Sequence, residues 1–382
     1  MRIALALGLC LLAGAASATP RARSDAKAEA PAPAPVKSAQ ESYRSRLNEN
    51  VVTIMAGRPN GTDLEIAADI AAVLDDGENL RILPMVGKGA AQNVRDVMFL
   101  RGVDMGITQA NILRYFAKSG ELGSNFVNQI TYIAKLFTEE IHILARPDIT
   151  DIKQLDGKKV NFGDEGSGTD ITAHLIFEAF GITVQVVHLP DADAILKLQS
   201  GEIAAALILG AKPMSGLATL KDAHGLKLLP IPYAKDLEND YYPATLSHDD
   251  YPALIADGAR VDTVAVCTVL VAFNWPQDGA RYQRLSKFVD AFFGKFDQFF
   301  APPRNPKWRE VNFAATLEGW HRSPLAQAFI DRAKVAGQTA AKGNFEAFLA
   351  QNTEANAAPA SDADRANLFR AYLEWSKGQH SN

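Results

Sequence analysis

The stretch NFGDEGSGTDITAHLIFEAFG, residues 161–181, carries a short apolar run into a glycine-rich turn and then into a long amphipathic segment. Ser167 and Thr169 stand in the turn. At a helix start, unpaired N–H groups and the helix dipole favour a carboxylate or phosphate oxygen. The two hydroxyls add donors, and Gly166 and Gly168 let the backbone come close to a ligand. The plainer alternative is a helix cap with Thr169 as the capping residue. Two more loops share the design. AGRPNGTD (residues 56–63) follows a strand pattern and puts Thr62 at a helix start, and VGKGAAQN (residues 86–93) is a third polar glycine loop. Arg58 and Lys88 in these loops are either cations for a carboxylate or solvated surface charges.

Covalent and redox templates do not fit. No Gly-Lys-Ser/Thr follows the first turn, so it is not a P-loop. Ser167 lies between two glycines, but Glu165 stands where a nucleophile elbow needs its first glycine. Gln92 replaces the third glycine of a dinucleotide fingerprint. There is no HExxH and no Cys/His cluster for a metal. His142 and His188 lie in apolar strand patterns and read as core histidines. What remains is non-covalent binding, with no cofactor and no metal implied.

These loops must be positioned by an alternation of strands and helices. Strand signals at 51–57, 80–86 and 103–108 alternate with helical ones at 63–74 and 90–100. The alternation restarts at 158–163 and runs through VQVVHL, DAILKLQS and IAAALIL. Such a pattern favours parallel sheets with helices on both faces. LRGVDMGIT and LQSGEIAAALI share a layout, which suggests two lobes or a chance echo. Open α/β sheets bind ligands at the carboxyl ends of their strands. Two facing lobes would make a cleft lined by the loops after residues 51–57, 80–86, 103–108 and 159–163. From about residue 262 the pattern changes to one long strand, VDTVAVCTVLVAF, and then to an aromatic stripe. Tyr282, Leu285, Phe288, Val289, Phe292, Phe293, Phe296 and Phe299 recur there at helical spacing, which reads as core.

The chain of 382 residues is 47% hydrophobic and 22% charged, enough for about two domains with real cores. A net charge of −5 offers no basic surface for nucleic acid. Residues 1–18 read as a secretory signal with a small-x-small cleavage site at Ala16-Ser17-Ala18. A lipoprotein signal needs a small residue before the cysteine; Leu9 precedes Cys10, so the exported protein is expected without a lipid. Beyond the signal nothing approaches ~18 consecutive apolar residues. Only Cys267 survives cleavage, so no internal disulfide is expected, and its apolar strand predicts a buried thiol. Residues 19–48, rich in Ala and Pro, predict a disordered leader. Residues 336–382 form a C-terminal extension expected to be partly helical or disordered.

AGRPNGTDLEIAADIA, GKGAAQNVRDVMFLRGVDMGITQAN, LFTEEIHILAR, IKQLDGKKVNFGDEGSGTDITAHLIFEAFGI and LQSGEIAAALILGAKP, in this order, resemble the TAXI group, the solute-binding receptors of TRAP transporters. NPKWREVNFAATLEGWHRSP resembles an extension found in some members. The resemblance covers about residues 51–335. It implies an α/β, type II-like periplasmic-binding-protein fold of two lobes joined by crossover strands, with extra C-terminal helices. Lobe 1 would be 49–143 with about 250–335, and lobe 2 would be 144–249.

The resemblance also implies a protein that closes on a small organic anion, an amino acid such as glutamate or a dicarboxylate, and docks on TRAP membrane permease subunits. The site positions it carries over are Gly61 and Thr62, Ala90 and Asn93, Gln109, Glu139 in the crossover strand, Ser167, Gly168 and Thr169, and Gly210. Two departures stand out. Asp63-Leu64 replaces the aromatics that usually follow the Gly-Thr pair, and Lys88 or Ala90 stands where the second loop usually has Ser. Ser167–Thr169 would hold a carboxylate, and Glu139 an ammonium if the solute is an amino acid. The rival readings are a receptor that signals to a sensor partner, an exported enzyme on the same scaffold, and an interaction protein with a dead cleft.

Overall fold

Alternating β-branched runs and glycine-bounded amphipathic segments place ten strands in one mixed sheet. The computed structural model of the chain describes residues 38–59, 61–220 and 223–336. The strands are β1 (Val51–Met55), β2 (Arg81–Met85), β3 (Met105–Gln109), β4 (Ile130–Ala145), β5 (Lys159–Asn161), β6 (Gln185–Val187), β7 (Ala205–Gly210), β8 (Lys227–Leu229), β9 (Tyr242–Ser247) and β10 (Arg260–Phe273). Their order is β2-β1-β3-β10-β4-β7-β5-β6, with β8 paired to β4 and β9 to β10.

The sheet is parallel only at its two ends. β1 pairs in parallel with β2 and β3, and β5 in parallel with β6 and β7. Between these ends run the two long strands β4 and β10, antiparallel to each other and to their outer neighbours. The parallel pairing expected from the alternation holds within each end set, and the sheet as a whole is mixed. The strand that continues past Glu139 and the strand after residue 260 each cross from one parallel set to the other, and a chain returning this way runs antiparallel. The register of β4 on β10 slips between Cys267 and Val269 and again between Leu270 and Val271, an irregularity at the crossing itself.

The helices are α1 (Ala39–Glu49), α2 (Thr62–Leu74), α3 (Ala90–Phe99), α4 (Ala110–Ser119), α5 (Phe126–Gln129), α6 (Gly168–Ala179), α7 (Asp191–Gln199), α8 (Ser215–Ala218) and α9 (Ala280–Gly294). α2 and α9 cover one face of the first strand set; Ile66, Ile70, Leu285, Phe288 and Phe292 join Val52 and Ile54 in one cluster. α3 and α4 cover the other face through Val94, Val97, Ile112 and Phe116. The aromatic stripe is core as expected, except that Tyr282 and Phe296 remain half-exposed. Cys267 is buried, and burial pushes its thiol up to about 11.

The leader expectation is corrected at its end. Residues 39–48 belong to α1, which starts with a reciprocal cap: the Glu41 N–H donates to Ser38 Oγ at 3.1 Å and the Ser38 N–H to Glu41 Oε2 at 2.8 Å. α1 buries none of its residues. The signal segment, residues 19–37 and the extension beyond 336 lie outside the described residues. Among the described residues no helix is long and apolar enough to cross a membrane.

Candidate functional site

Three helices begin at one place. α2 starts after Gly61, α3 after Gly89 and α6 after Ser167, and the loops that lead into them all leave the carboxyl ends of strands. Together with the ends of β3 and β7 and the middle of β4 they enclose a polar box of about 40 Å³. Ten of the twelve predicted site residues line it: Arg58, Gly61, Thr62 and Asp63 from the first loop, Ala90 from the second, Gln109, Glu139, and Ser167, Gly168 and Thr169. Lys88, weighed as a cation, lines it too, with Gly57, Gly89, Asp164 and Leu209. These last four were not singled out. Gly57, Gly89 and Asp164 sit in the three glycine loops, and Leu209, at the far end of β7, lies in the LQSGEIAAALILGAKP stretch beside Gly210.

Two predicted residues lie outside the box. Asn93 is fully buried beneath it, and its Nδ2 donates to the Ile107 carbonyl at 2.7 Å, which fastens α3 to β3. Gly210 pairs with Glu140 and faces Met214; a Cβ there would stand 2.9 Å from Met214 Cε. Two smaller corrections belong to the α6 turn and its neighbour. The cap is Ser167, not Thr169: Ser167 Oγ accepts the Asp170 N–H at 3.1 Å, leaving Thr169 half-exposed at the box. His188 is not a core histidine; its side chain is 32% exposed and sits 3.0 Å from the Gly163 carbonyl. His142 is core, its Nε2 2.7 Å from the Tyr251 hydroxyl, and burial lowers it to about 4, which keeps it neutral.

The box is built around buried carboxyls. Gln109 pairs with Thr268 on one side of β10, and Glu139 pairs with Val266 on the other. Gln109 Nε2 reaches over that strand to donate to Glu139 Oε2 at 2.6 Å. Glu139 is 4% exposed and Asp63, in the first turn of α2, is 6% exposed. Burial pushes Asp63 up to about 7 against the opposing pull of Arg58. Burial, reinforced by the charge of Asp63, drives Glu139 well above the usual carboxylate range. Two oxygens here are buried without a partner, Asp63 Oδ1 and Gln109 Oε1. Both are acceptors, so each calls for a donor placed against it.

The two strand sets are drawn together over the box. Arg58 Nη1 pairs with Asp191 Oδ1 at 2.8 Å, and the Ala211 N–H donates to Thr62 Oγ1 at 3.2 Å. On the opposite side of the sheet crossing Asn111 Nδ2 donates to Thr172 Oγ1 at 2.8 Å and to the Tyr241 hydroxyl at 3.0 Å. Gly168 fits only because it has no side chain: a Cβ would lie 2.9 Å from both Ala90 Cβ and Gln109 Oε1. Among the described residues no group of His, Cys, Asp and Glu side chains could hold a metal ion.

Residues 54–286 match the model described as the NMT1-like family. Among solved structures, the chain is similar to one described as a periplasmic transporter, at 14% identity and a TM-score of 0.43, covering 74% of this chain and 92% of that one. It is similar to the periplasmic binding protein BugD at 14% identity and a TM-score of 0.41, covering 68% and 85%. The ligand-binding component of an ABC-type import system from Staphylococcus aureus, with zinc bound, aligns at 13% identity and a TM-score of 0.41, covering 73% and 82%.

Proposed function

The chain belongs to the NMT1-like family, and from that premise we propose that it is an extracytoplasmic receptor that captures a small amino acid and performs no chemistry on it. The observation that carries this reading is the pairing of opposite needs in one box. The starts of α2, α3 and α6 supply N–H groups and positive dipole ends for a carboxylate. Asp63 Oδ1 and Gln109 Oε1 are buried acceptors with nothing to accept. An ammonium on the carbon next to a carboxylate answers both. A dicarboxylate answers only the first and sets its second charge against Asp63 and Glu139.

In this reading the lobes are residues 49–143 with about 250–335, and residues 144–249, hinged where β4 slips on β10. Ligand stabilises the closed form by touching both lobes at once. Delivery is to TRAP-type permease subunits, as the TAXI resemblance implies, from the periplasm. Thermal-shift screening of the chain against amino acids, dicarboxylates, keto acids and phosphates, followed by calorimetry, tests the proposal. A ligand of the folded state adds ~2.7 kcal/mol at a hundredfold excess over Kd. An amino acid that binds, loses affinity on Asp63→Ala and is recovered unchanged in mass supports the receptor. Chemical conversion of the hit, or a screen in which no amino acid shifts the melting point, overturns it.

A further inference from the structure

The box is too small for the solute it is built to hold. Its 40 Å³ admit about three water molecules at the volume each requires, whereas small-molecule sites run to roughly 300–1,000 Å³. A groove of about 770 Å³ adjoins it, sharing Arg58, Thr62 and Asp164 as common wall. The groove differs from the box in chemistry. Its floor and sides are Leu189, Ile195, Ile208, Ala211, Met214 and Leu217. Three of these, Leu189, Ile195 and Met214, are half-buried on the edge of the cluster that α7 and β7 form.

Most of the charged groups on the groove's rim are already engaged, Asp164 being the exception. Lys212 Nζ holds Asp250, Lys307 Nζ holds Glu140 and Glu310, and Glu65 accepts from Asn305. Among the described residues the buried oxygens and nitrogens without partners include two in the box and none in the groove. Between the two spaces stands one partly exposed ion pair, Arg58–Asp191, with side chains 24% and 28% exposed. Such a pair is weakly held and opens readily.

We infer that the ligand is an α-amino acid with an extended apolar side chain: the ammonium and carboxylate occupy the box, and the side chain passes the Arg58–Asp191 pair into the groove. This rests on the receptor reading above and specifies the class of solute. Each methylene taken from water into the groove strengthens binding by about fourfold, the equivalent of about 0.8 kcal/mol.

Isothermal titration of the chain with alanine, 2-aminobutyrate, norvaline, norleucine and 2-aminooctanoate, beside glutamate and aspartate, tests it. The expected result is a Kd that falls about fourfold per methylene along the series. Ile195→Asn and Met214→Gln, each checked for an unchanged melting curve, should flatten that slope; the second serves if the first fails to fold. A flat series in which glutamate or another short polar amino acid binds tightest overturns the inference and leaves the receptor reading standing. A steep series whose slope neither variant changes overturns the placement in the groove. No binding by any amino acid overturns both.

Discussion

Asp63 is the residue whose replacement by asparagine tests the electrostatics of the box most directly. Its folded-state pKa is raised by burial from 3.8 to about 7. A raised carboxylate pKa means that between those values the folded protein holds a proton that the unfolded chain has released. Stability therefore falls as pH rises through that window. At about 1.36 kcal/mol per pH unit the full displacement corresponds to about 4 kcal/mol, a ceiling that local relaxation lowers. An asparagine side chain cannot ionise and keeps the shape of the protonated acid. Asp63→Asn is thus expected to match the parent near pH 4 and to exceed it progressively above, with the full gain reached beyond pH 7. Removing the Asp63 charge also lets Glu139 fall toward its usual range, which adds to the gain. At about 2–4 °C per kcal/mol for domains of 150–250 residues, the ligand-free variant should melt several degrees higher at pH 8 and equally at pH 4. Thermal unfolding at four or five pH values reads this directly. A variant less stable than the parent at pH 8, or a difference that does not change with pH, would refute the claim that the box buries an uncompensated charge.

Three other outcomes follow from the same contacts. Gly168→Ala forces a Cβ to within 2.9 Å of Ala90 Cβ and Gln109 Oε1. Overpacking of that kind costs about 1–3 kcal/mol, and because the clash is made only when α6 meets α3, it should appear as a roughly tenfold to hundredfold loss of ligand affinity in calorimetry. Lys307→Met strips Glu140, 3% exposed, of its buried cation; urea unfolding should show a loss of about 3–5 kcal/mol, largely restored by adding Glu140→Gln. Amino-acid affinity measured between pH 5 and pH 8 should rise with pH, because an ammonium needs Asp63 ionised; a ligand that binds as an anion alone would show the opposite slope.

The box was legible where local pattern alone determines position. Glycine loops between a strand and an amphipathic run mark helix starts, and β1 to α2, β2 to α3 and β5 to α6 all followed that rule, so their residues arrived in one place. Asn93 and Gly210 lie off the box, and sequence order cannot tell a residue that lines a cavity from one that holds up its wall. Asn93 sits one turn below the start of α3, facing β3 rather than the opening. Leu209 is the converse case: it reads as one more apolar residue in a buried strand, yet at the end of β7 it reaches the box. The antiparallel crossing itself is a long-range fact. Nothing within β4 or β10 distinguishes an apolar strand that continues a parallel set from one that bridges two. Which of Ser167 and Thr169 caps α6 is decided by a single backbone step, the extended conformation at Ser167, and the spacing of the two hydroxyls does not reveal it.

On the proposed reading, Asp63 changes what kind of molecule the box selects. Glu139 alone, buried and hydrogen-bonded by Gln109, would sit neutral and serve as a polar wall. A second carboxyl beside it makes ionising either one harder, because their charges oppose each other across the box. Arg58 offsets part of that charge but is already drawn toward Asp191 on the other side. The box therefore sets two buried carboxyls beside the N–H groups of three helix starts. On the proposed reading, a molecule that carries both a positive and a negative group answers both at once. On that reading selection comes from the separation of the two charges, and the apolar remainder is left to the adjoining groove.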